Sequence, residues 1–148
     1  MSQKGMNKTI LITESQAKML LQERERESNS HVVKFGEPEP FGTKQYKMPV
    51  TIDGVDYSYK EIGFLIEPHH VNGNELYQPH IHISPELQKQ GFGYAIYKEF
   101  INEYGNLYSS QWCVTNETGA IKKIYERLAE EPNFDSIKGN GYIIIYLK

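Results

Sequence analysis

The stretch from which the fold is predicted is IHISPELQKQGFG, residues 81–93 in a chain of 148 residues. Its opening residues alternate apolar and polar side chains, which is typical of a strand. Pro85 ends that strand because it has no amide hydrogen to donate to a sheet. Gly91 and Gly93 then allow unusual backbone dihedral angles, and a helix is predicted to begin at once, over residues 91–104.

The junction between this strand and this helix is a candidate anion site. Amide hydrogens of residues 88–93 are expected to converge at the positive end of the helix dipole, where phosphate oxygens bind readily. The missing β-carbons of Gly91 and Gly93 would let a ligand approach the backbone. Taken alone, such glycines are also typical of a plain connecting turn. Their spacing fits neither the G-x-G-x-x-G dinucleotide pattern nor the G-x-x-x-x-G-K-[ST] nucleotide loop.

Further elements are predicted on both sides of this stretch. Downstream, the pattern predicts a strand, a helix and a closing hairpin, at residues 109–114, 117–129, and 134–137 with 142–147. Upstream, it predicts a capped helix over 13–27, a strand over 31–35 with an irregular loop to 45, a hairpin of 46–52 with 55–66 around Asp53-Gly54, a loop over 68–74, and a strand over 76–83. Hairpins, helices and one strand–helix–strand crossover predict an α+β fold, an α/β sandwich whose mixed, mostly antiparallel central sheet carries helices on both faces.

The size and charge of the chain limit its organisation and partners. We expect a flexible N-terminus over residues 1–12 and a single domain over 13–148. A formal net charge of −3 argues against a nucleic-acid partner. No segment has the roughly 20 apolar residues of a membrane helix, and no signal peptide is recognised, so we expect no membrane partner and a soluble, cytoplasmic protein. Cys113, the one cysteine, is expected to be a buried strand residue rather than a nucleophile.

The full string at residues 83–93 carries a more specific signal than its glycines. Its pattern, I-x-P-x-x-Q-x-x-G-x-G, resembles the V-x-P-x-x-[Q/R]-x-x-G-x-[G/A] pyrophosphate loop of the GNAT superfamily of N-acetyltransferases. Farther along, Asn116, Ala120 and Tyr125 have the N-x3-A-x4-Y spacing of a later helix in that family. Singly, Asn116 is equally typical of a helix N-cap, and Tyr125 of a packed aromatic residue. Together, in this order, the two motifs favour the family.

The resemblance covers roughly residues 55–148 and implies a GNAT-like fold and an acetyl-CoA-dependent N-acetyltransferase. It implies acetyl-CoA as co-substrate, a primary amine of a small molecule, peptide or protein as acceptor, and no metal. Tyr125 would protonate the leaving thiolate, and the backbone of Ile81 and Ile83 would pair with the pantetheine arm. The cofactor-binding residues that the resemblance implies are Ile81, Ile83, Gln88, Lys89, Gln90, Gly91, Phe92, Gly93, Tyr94 and Asn116.

The residue that removes the proton of the amine is left open by the sequence. No residue that shares a strand face with Ile83 is a convincing base. His80 and His82 are the catalytic candidates, since imidazoles change charge near neutral pH. They fall on the other face of the strand unless a bulge intervenes. Glu61 and Glu67, on the preceding strand, are further candidates.

Other interpretations stay open beside this one. A non-catalytic CoA-binding or protein-interaction module would keep the loop without turnover, and the helix over residues 13–27 could be an appended docking element. Four imidazoles, those of His69, His70, His80 and His82, could instead meet around zinc. The chain also departs from the family at residues 129–134, where an extended turn replaces the usual Gly-Phe, and at its single front helix. The acceptor amine is therefore unidentified, and a homodimer is compatible with the sequence.

Overall fold

The structure, a computed structural model, describes residues 13, 15, 16, 30–110 and 119–148. The strands in this part of the chain are β1 (Val33–Phe35), β2 (Glu39–Phe41), β3 (Gln45–Lys47), β4 (Val50–Ile52), β5 (Val55–Tyr57), β6 (Ile62–Val71), β7 (Asn74–Ile83), β8 (Asn106–Ser109), β9 (Phe134–Gly139) and β10 (Tyr142–Leu147). A 3-10 helix (Pro85–Leu87) and the α-helices α1 (Phe92–Tyr104) and α2 (Gly119–Ala129) accompany them. The described strands form three sheets, ordered β1-β4-β5, β2-β3-β6-β7 and β8-β10-β9.

The predicted fold class, an α/β sandwich with one mixed central sheet and helices on both faces, is wrong. Every strand pair within the described ranges is antiparallel, and three separate sheets replace the central one. The crossover from β7 through α1 leads to β8, which pairs with β10.

The physical reason lies at Asn106. Its side-chain amide donates to the carbonyl of Glu75 at 3.1 Å and accepts from the N–H of Tyr77 at 3.0 Å, so a side chain stands where a ladder between β7 and β8 would begin.

The β6–β7 hairpin replaces a predicted loop. Residues 68–74 were expected to be irregular, but β6 continues through Val71 and β7 begins at Asn74. Asn72 and Gly73 form the turn with φ of 52° and 83°, the positive values that a tight primed hairpin turn requires. The pairing is continuous from Val71 opposite Asn74 to Ile62 opposite Ile83, without a bulge.

Several other predicted elements are confirmed, some with changed bounds. The Asp53-Gly54 turn joins β4 to β5 with φ of 52° and 84°. The long strand predicted to follow it is interrupted, because the N–H of Ser58 bonds to Glu61 Oε1 in a turn before β6. The helix predicted over 91–104 is α1, and the closing hairpin is β9 with β10.

The predicted helix over 13–27 is described only at its start. The N–H of Thr13 donates to Gln16 Oε1 at 2.9 Å, and the N–H of Gln16 donates to Thr13 Oγ1 at 3.1 Å, which is the predicted capping box. Residues 1–12, the remainder of that helix, and Cys113 lie outside the described residues.

The core packs on one face of the β6–β7 hairpin, against α1. Phe64 is fully buried, and its ring lies 5.8 Å from Phe100 and 6.0 Å from Tyr97 between centroids. Tyr77 approaches Phe100 at 5.5 Å from the neighbouring strand. Contacts of this kind, together with the burial of the rings, are the main source of stability in such a fold. None of the helices in the described part of the chain is long and apolar enough to cross a membrane.

Candidate functional site

The edge of β7 that faces β8 carries backbone groups that no described strand pairs. The N–H and C=O groups of alternate residues in a strand point to opposite edges. Tyr77 donates its N–H to Asn106 at this edge. Ile81 and Ile83 lie an even number of residues farther along the strand, so their backbone groups point to the same edge. The carbonyl of Ile83 accepts from Gln88 Nε2 at 2.8 Å. The two N–H groups and the Ile81 carbonyl therefore face the space between the two sheets.

The same strand leads into the predicted anion-binding loop. Lys89 and Gly91 adopt left-handed backbone conformations, with φ of 65° and 80°, and Gly91 is the N-cap of α1. Left-handed residues among right-handed or extended ones turn successive amides towards a common point, and the helix dipole adds positive potential there. No acidic side chain lies in the first turn of α1. The geometry suits a bound anion.

The missing side chain of Gly93 was predicted to let a ligand approach the backbone, but the structure gives it a packing role. A β-carbon at this position would lie 3.0 Å from Ile124 Cδ1 and 3.8 Å from Ile83 Cδ1. The absence of a side chain therefore lets α2 pack closely on the start of α1, beside the end of β7.

Ser84, between β7 and the loop, has a buried hydroxyl for which no hydrogen-bond partner is found among the described residues. Its N–H donates to the carbonyl of Glu61 at 2.9 Å, which fixes the backbone at this point. A buried hydroxyl without a partner costs free energy, so a ligand group that bonds to it would be favoured. The sequence motif gave no special role to this residue.

His31 anchors the loop to the β4–β5 turn. Its Nδ1 lies 2.7 Å from Asp53 Oδ2, and its Nε2 lies 2.7 Å from the carbonyl oxygen of Gln90. The hydrogen bond from His31, followed by that from the N–H of Val32, holds the pKa of the Asp53 carboxyl below its usual value. The sequence analysis assigned no function to His31.

The turn over residues 129–134 is attached to α1 through Glu131. The Tyr94 hydroxyl donates to the Glu131 carboxylate, and Lys98 Nζ lies 3.3 Å from Glu131 Oε1. Arg127 covers the Tyr94 ring, with its guanidinium carbon 4.0 Å from the centroid. Tyr94, predicted to bind the cofactor, is therefore buried and engaged in this packing.

Tyr125, the predicted general acid, is in the core. It is 2% exposed, and its ring lies 5.8 Å from that of Tyr97. Burial raises the pKa of Tyr125 well above its ordinary value, which makes the phenol a weaker acid. Asn116, the other motif residue predicted for this region, lies outside the described residues.

The polar face of the hairpin gathers the candidate bases around Glu67. His69 Nε2 lies 3.2 Å from one carboxylate oxygen of Glu67, an ion-pair distance without hydrogen-bond geometry, and His80 Nε2 lies 3.7 Å from the other. Gln45 Nε2 donates to the same carboxylate at 3.3 Å. The structure thus brings Glu67 and His80 together.

His82 shares this face with His80. Because the hairpin has no bulge, both lie opposite the side chains of Ile81 and Ile83, which pack against the core. Glu61, the other candidate base, accepts the N–H of Ser58 in a turn. The Glu67 cluster was missed by the sequence analysis, although the Asn72-Gly73 turn would have given its register.

The zinc interpretation gains no support from the part of the chain that the structure describes. Among those residues, no group of three or more His, Cys, Asp or Glu side chains could hold a metal ion. His70 points away from the cluster and pairs with Glu75 at 3.5 Å.

Comparisons of the chain with protein-family models, with curated proteins and with solved structures gave no match. The resemblance to the acetyltransferase motifs therefore rests on the motif residues themselves.

Proposed function

We propose that this chain is an acetyl-CoA-dependent N-acetyltransferase that acts on a primary amine of a small molecule, peptide or protein. The proposal is carried by one observation: the edge of β7, which no strand in the described part of the chain pairs, runs directly into a loop whose amides suit an anion. An extended pantetheine arm can bond to such an edge as an added strand would. The diphosphate would then reach the loop at Lys89 to Gly91 and the start of α1.

The reaction that this arrangement supports is direct transfer. The amine nitrogen attacks the thioester carbonyl carbon, a C–N bond forms, and the C–S bond breaks to release the CoA thiolate. An edge N–H, from Ile81 or Ile83, would donate to the carbonyl oxygen as negative charge develops there. Alignment of the two reactants supplies several kcal/mol of the rate enhancement.

Two proton transfers accompany this reaction. Tyr125, a neutral phenol at pH 7 as tyrosines ordinarily are, would give a proton to the thiolate. Glu67 with His80 is the candidate for receiving the proton of the amine, since His80 belongs to β7, the strand that carries the edge, and Glu67 lies beside it on β6. His82, on the same face, is the alternative base.

A second function, CoA binding without turnover, is favoured by the burial of Tyr125. A phenol that is 2% exposed must gain access to the thiolate before it can protonate it. Assays of CoA release with a panel of primary amines separate the two functions. If Tyr125→Phe abolishes turnover while acetyl-CoA still binds, the result supports transfer with Tyr125 as the acid. Binding without release of CoA for any amine supports the non-catalytic module.

The placement of the diphosphate is tested by Gly91→Asp. The new side chain would strain a left-handed residue and bring negative charge to the anion site, so we expect acetyl-CoA affinity to fall by at least about a hundredfold in calorimetry. Gly141→Asp is the matched control, because Gly141 has φ of 83° in the β9–β10 hairpin, away from the loop. Equal affinity in the two variants would rule out the proposed site.

A further inference from the structure

The His31 imidazole lies between two oxygen atoms that can only accept hydrogen bonds. One is the Gln90 carbonyl in the loop, and the other is a carboxylate oxygen of Asp53 in the β4–β5 turn. The second oxygen of Asp53 accepts the N–H of Val32 at 2.8 Å, which fixes the carboxylate beside the ring. The His31 side chain is 16% exposed.

This geometry determines the protonation state of the ring. A neutral imidazole has one N–H donor and one acceptor nitrogen, whereas the imidazolium has two donors. Both contacts, each 2.7 Å long, can be hydrogen bonds at the same time only if both nitrogens carry hydrogen. His31 must therefore be cationic when it joins the loop to the turn.

The other groups near His31 also favour a cation. The ring contacts that of Phe92, the first residue of α1, at 4.9 Å between centroids in a T-shaped arrangement. Glu99 and Glu103 of α1 line the same groove as His31, with Lys34 from β1 as the one further charged group there among the described residues. Two carboxylates and one ammonium thus face this region, in addition to Asp53.

We propose that His31, as an imidazolium, is a positioning residue that holds the acyl-CoA loop in its binding conformation and releases it on deprotonation. This inference rests on the proposed function, because it assigns the loop to the CoA diphosphate. His31 acts through the Gln90 backbone, immediately before the left-handed Gly91.

The consequence of deprotonation follows from the two partners. A neutral ring can donate to Asp53 or to Gln90, but not to both. The bond to the carboxylate is charge-assisted and stronger, so the single hydrogen stays with Asp53 and the Gln90 carbonyl loses its donor. The loop amides are then less well ordered, and affinity for the diphosphate falls.

The test is calorimetric titration of acetyl-CoA from about pH 5.5 to about pH 8.5, a range that spans ordinary imidazole ionisation. We expect the affinity of the wild-type protein to fall by about tenfold over this range, the effect of losing one hydrogen bond from a charged donor. The 3′-phosphate of CoA also ionises near pH 6, so the relevant quantity is the difference between wild type and variants.

Asp53→Asn is the decisive variant. Asparagine tolerates the left-handed conformation of this residue, with φ of 52°, and its oxygen can still accept the N–H of Val32. Its amide can donate to Nδ1 of a neutral ring while Nε2–H stays on Gln90. We therefore expect the fall in affinity at high pH to disappear in Asp53→Asn. In His31→Gln we expect the remaining dependence of affinity on pH to be the one that ionisation of the ligand causes.

His70→Gln is the control, because this exposed histidine lies outside the loop and should leave the wild-type slope unchanged. The inference would be overturned if affinity changed with pH in the wild type as it does in His31→Gln. It would also be overturned if Asp53→Asn kept the pH dependence of the wild type. Nitrogen-15 spectra of the His31 ring test it without ligand. Two protonated nitrogens that persist to a higher pH than those of the exposed His70 support it, and a neutral His31 ring at a pH at which the His70 ring is still charged refutes it. Failure of acetyl-CoA to bind at any pH would sink the proposed function, while these spectra would still decide the state of His31.

Discussion

The two faces of the β6–β7 hairpin differ in what they contribute to the molecule. On one face, Phe64 and Ile66 are buried against aromatic rings of α1. On the other, Glu67, His69 and His80 form a polar cluster that solvent reaches. The side chains of the two faces alternate along the same strands. One hairpin therefore supplies stability on one side and candidate chemistry on the other, and substitutions one residue apart should have separable effects.

The largest expected effect is on the core face. Phe64→Ala removes a fully buried ring from contacts with Tyr97 and Phe100, and we expect the free energy of unfolding in urea to fall by about 3–5 kcal/mol. Val55→Ala, at a side chain that is 49% exposed, should cost less than about 0.5 kcal/mol. A loss below about 1 kcal/mol for Phe64→Ala would mean that this face is not the core.

An intermediate effect is expected on the polar face. Glu67→Gln removes the charge that His69 and His80 face, and we expect kcat for amine acetylation to fall by about a hundredfold with an unchanged urea midpoint. Glu75→Gln is the matched control, since this carboxylate pairs with His70 near the opposite end of the hairpin. If both variants lose the same activity, or if Glu67→Gln mainly unfolds the protein, the division between the faces fails.

The smallest expected effect concerns Tyr77, which belongs to the core face but is partly solvated. Burial, followed by the hydrogen bond to Glu75, raises the pKa of Tyr77 to about 12. A raised folded-state pKa stabilises the fold below the unfolded value near 10, and this contribution is lost as the pH rises towards 12. Tyr77→Phe should therefore reduce the alkaline loss of stability, by less than about 1 kcal/mol because solvent screens this site. The loss of stability is measured as the change in urea midpoint between about pH 8 and about pH 11, which lie on either side of ordinary tyrosine ionisation. An identical alkaline loss in Tyr77→Phe and wild type would contradict it.

The local elements were largely predictable from the sequence because their signals are local. Asp53-Gly54 gave the β4–β5 turn, the apolar spacing after Gly91 gave α1, and the Thr13 capping box formed as predicted. Asn72-Gly73 is also a local turn signal, but a proline and polar residues within 68–74 are equally typical of a loop. Without that turn, the register that brings His80 to Glu67 could not be derived.

The arrangement of the sheets could not be predicted from periodicity. The separation of β7 from β8 involves one hydrogen bond that the Asn106 side chain donates and one that it accepts. A pattern of apolar and polar positions treats this residue as an ordinary helix terminus or loop residue. His31 was equally inaccessible, because its partners are 22 and 59 residues away in the chain. Contacts at such separations depend on the tertiary fold, so no short sequence motif predicts them.

Asn106 stands at one end of an opening, defined as the stretch of the β7 edge from Tyr77 to Ile83 that no described strand pairs. Its amide group takes the place of one peptide unit of a neighbouring strand, and beyond it the opening extends to Ile83. Each pair of strand residues spans about 6.6 Å. An asparagine two places later in β8, at Tyr108, would shorten the opening by about that amount. On the proposed function, the reach of the acyl carrier would then depend on where a single amide side chain occurs in the sequence.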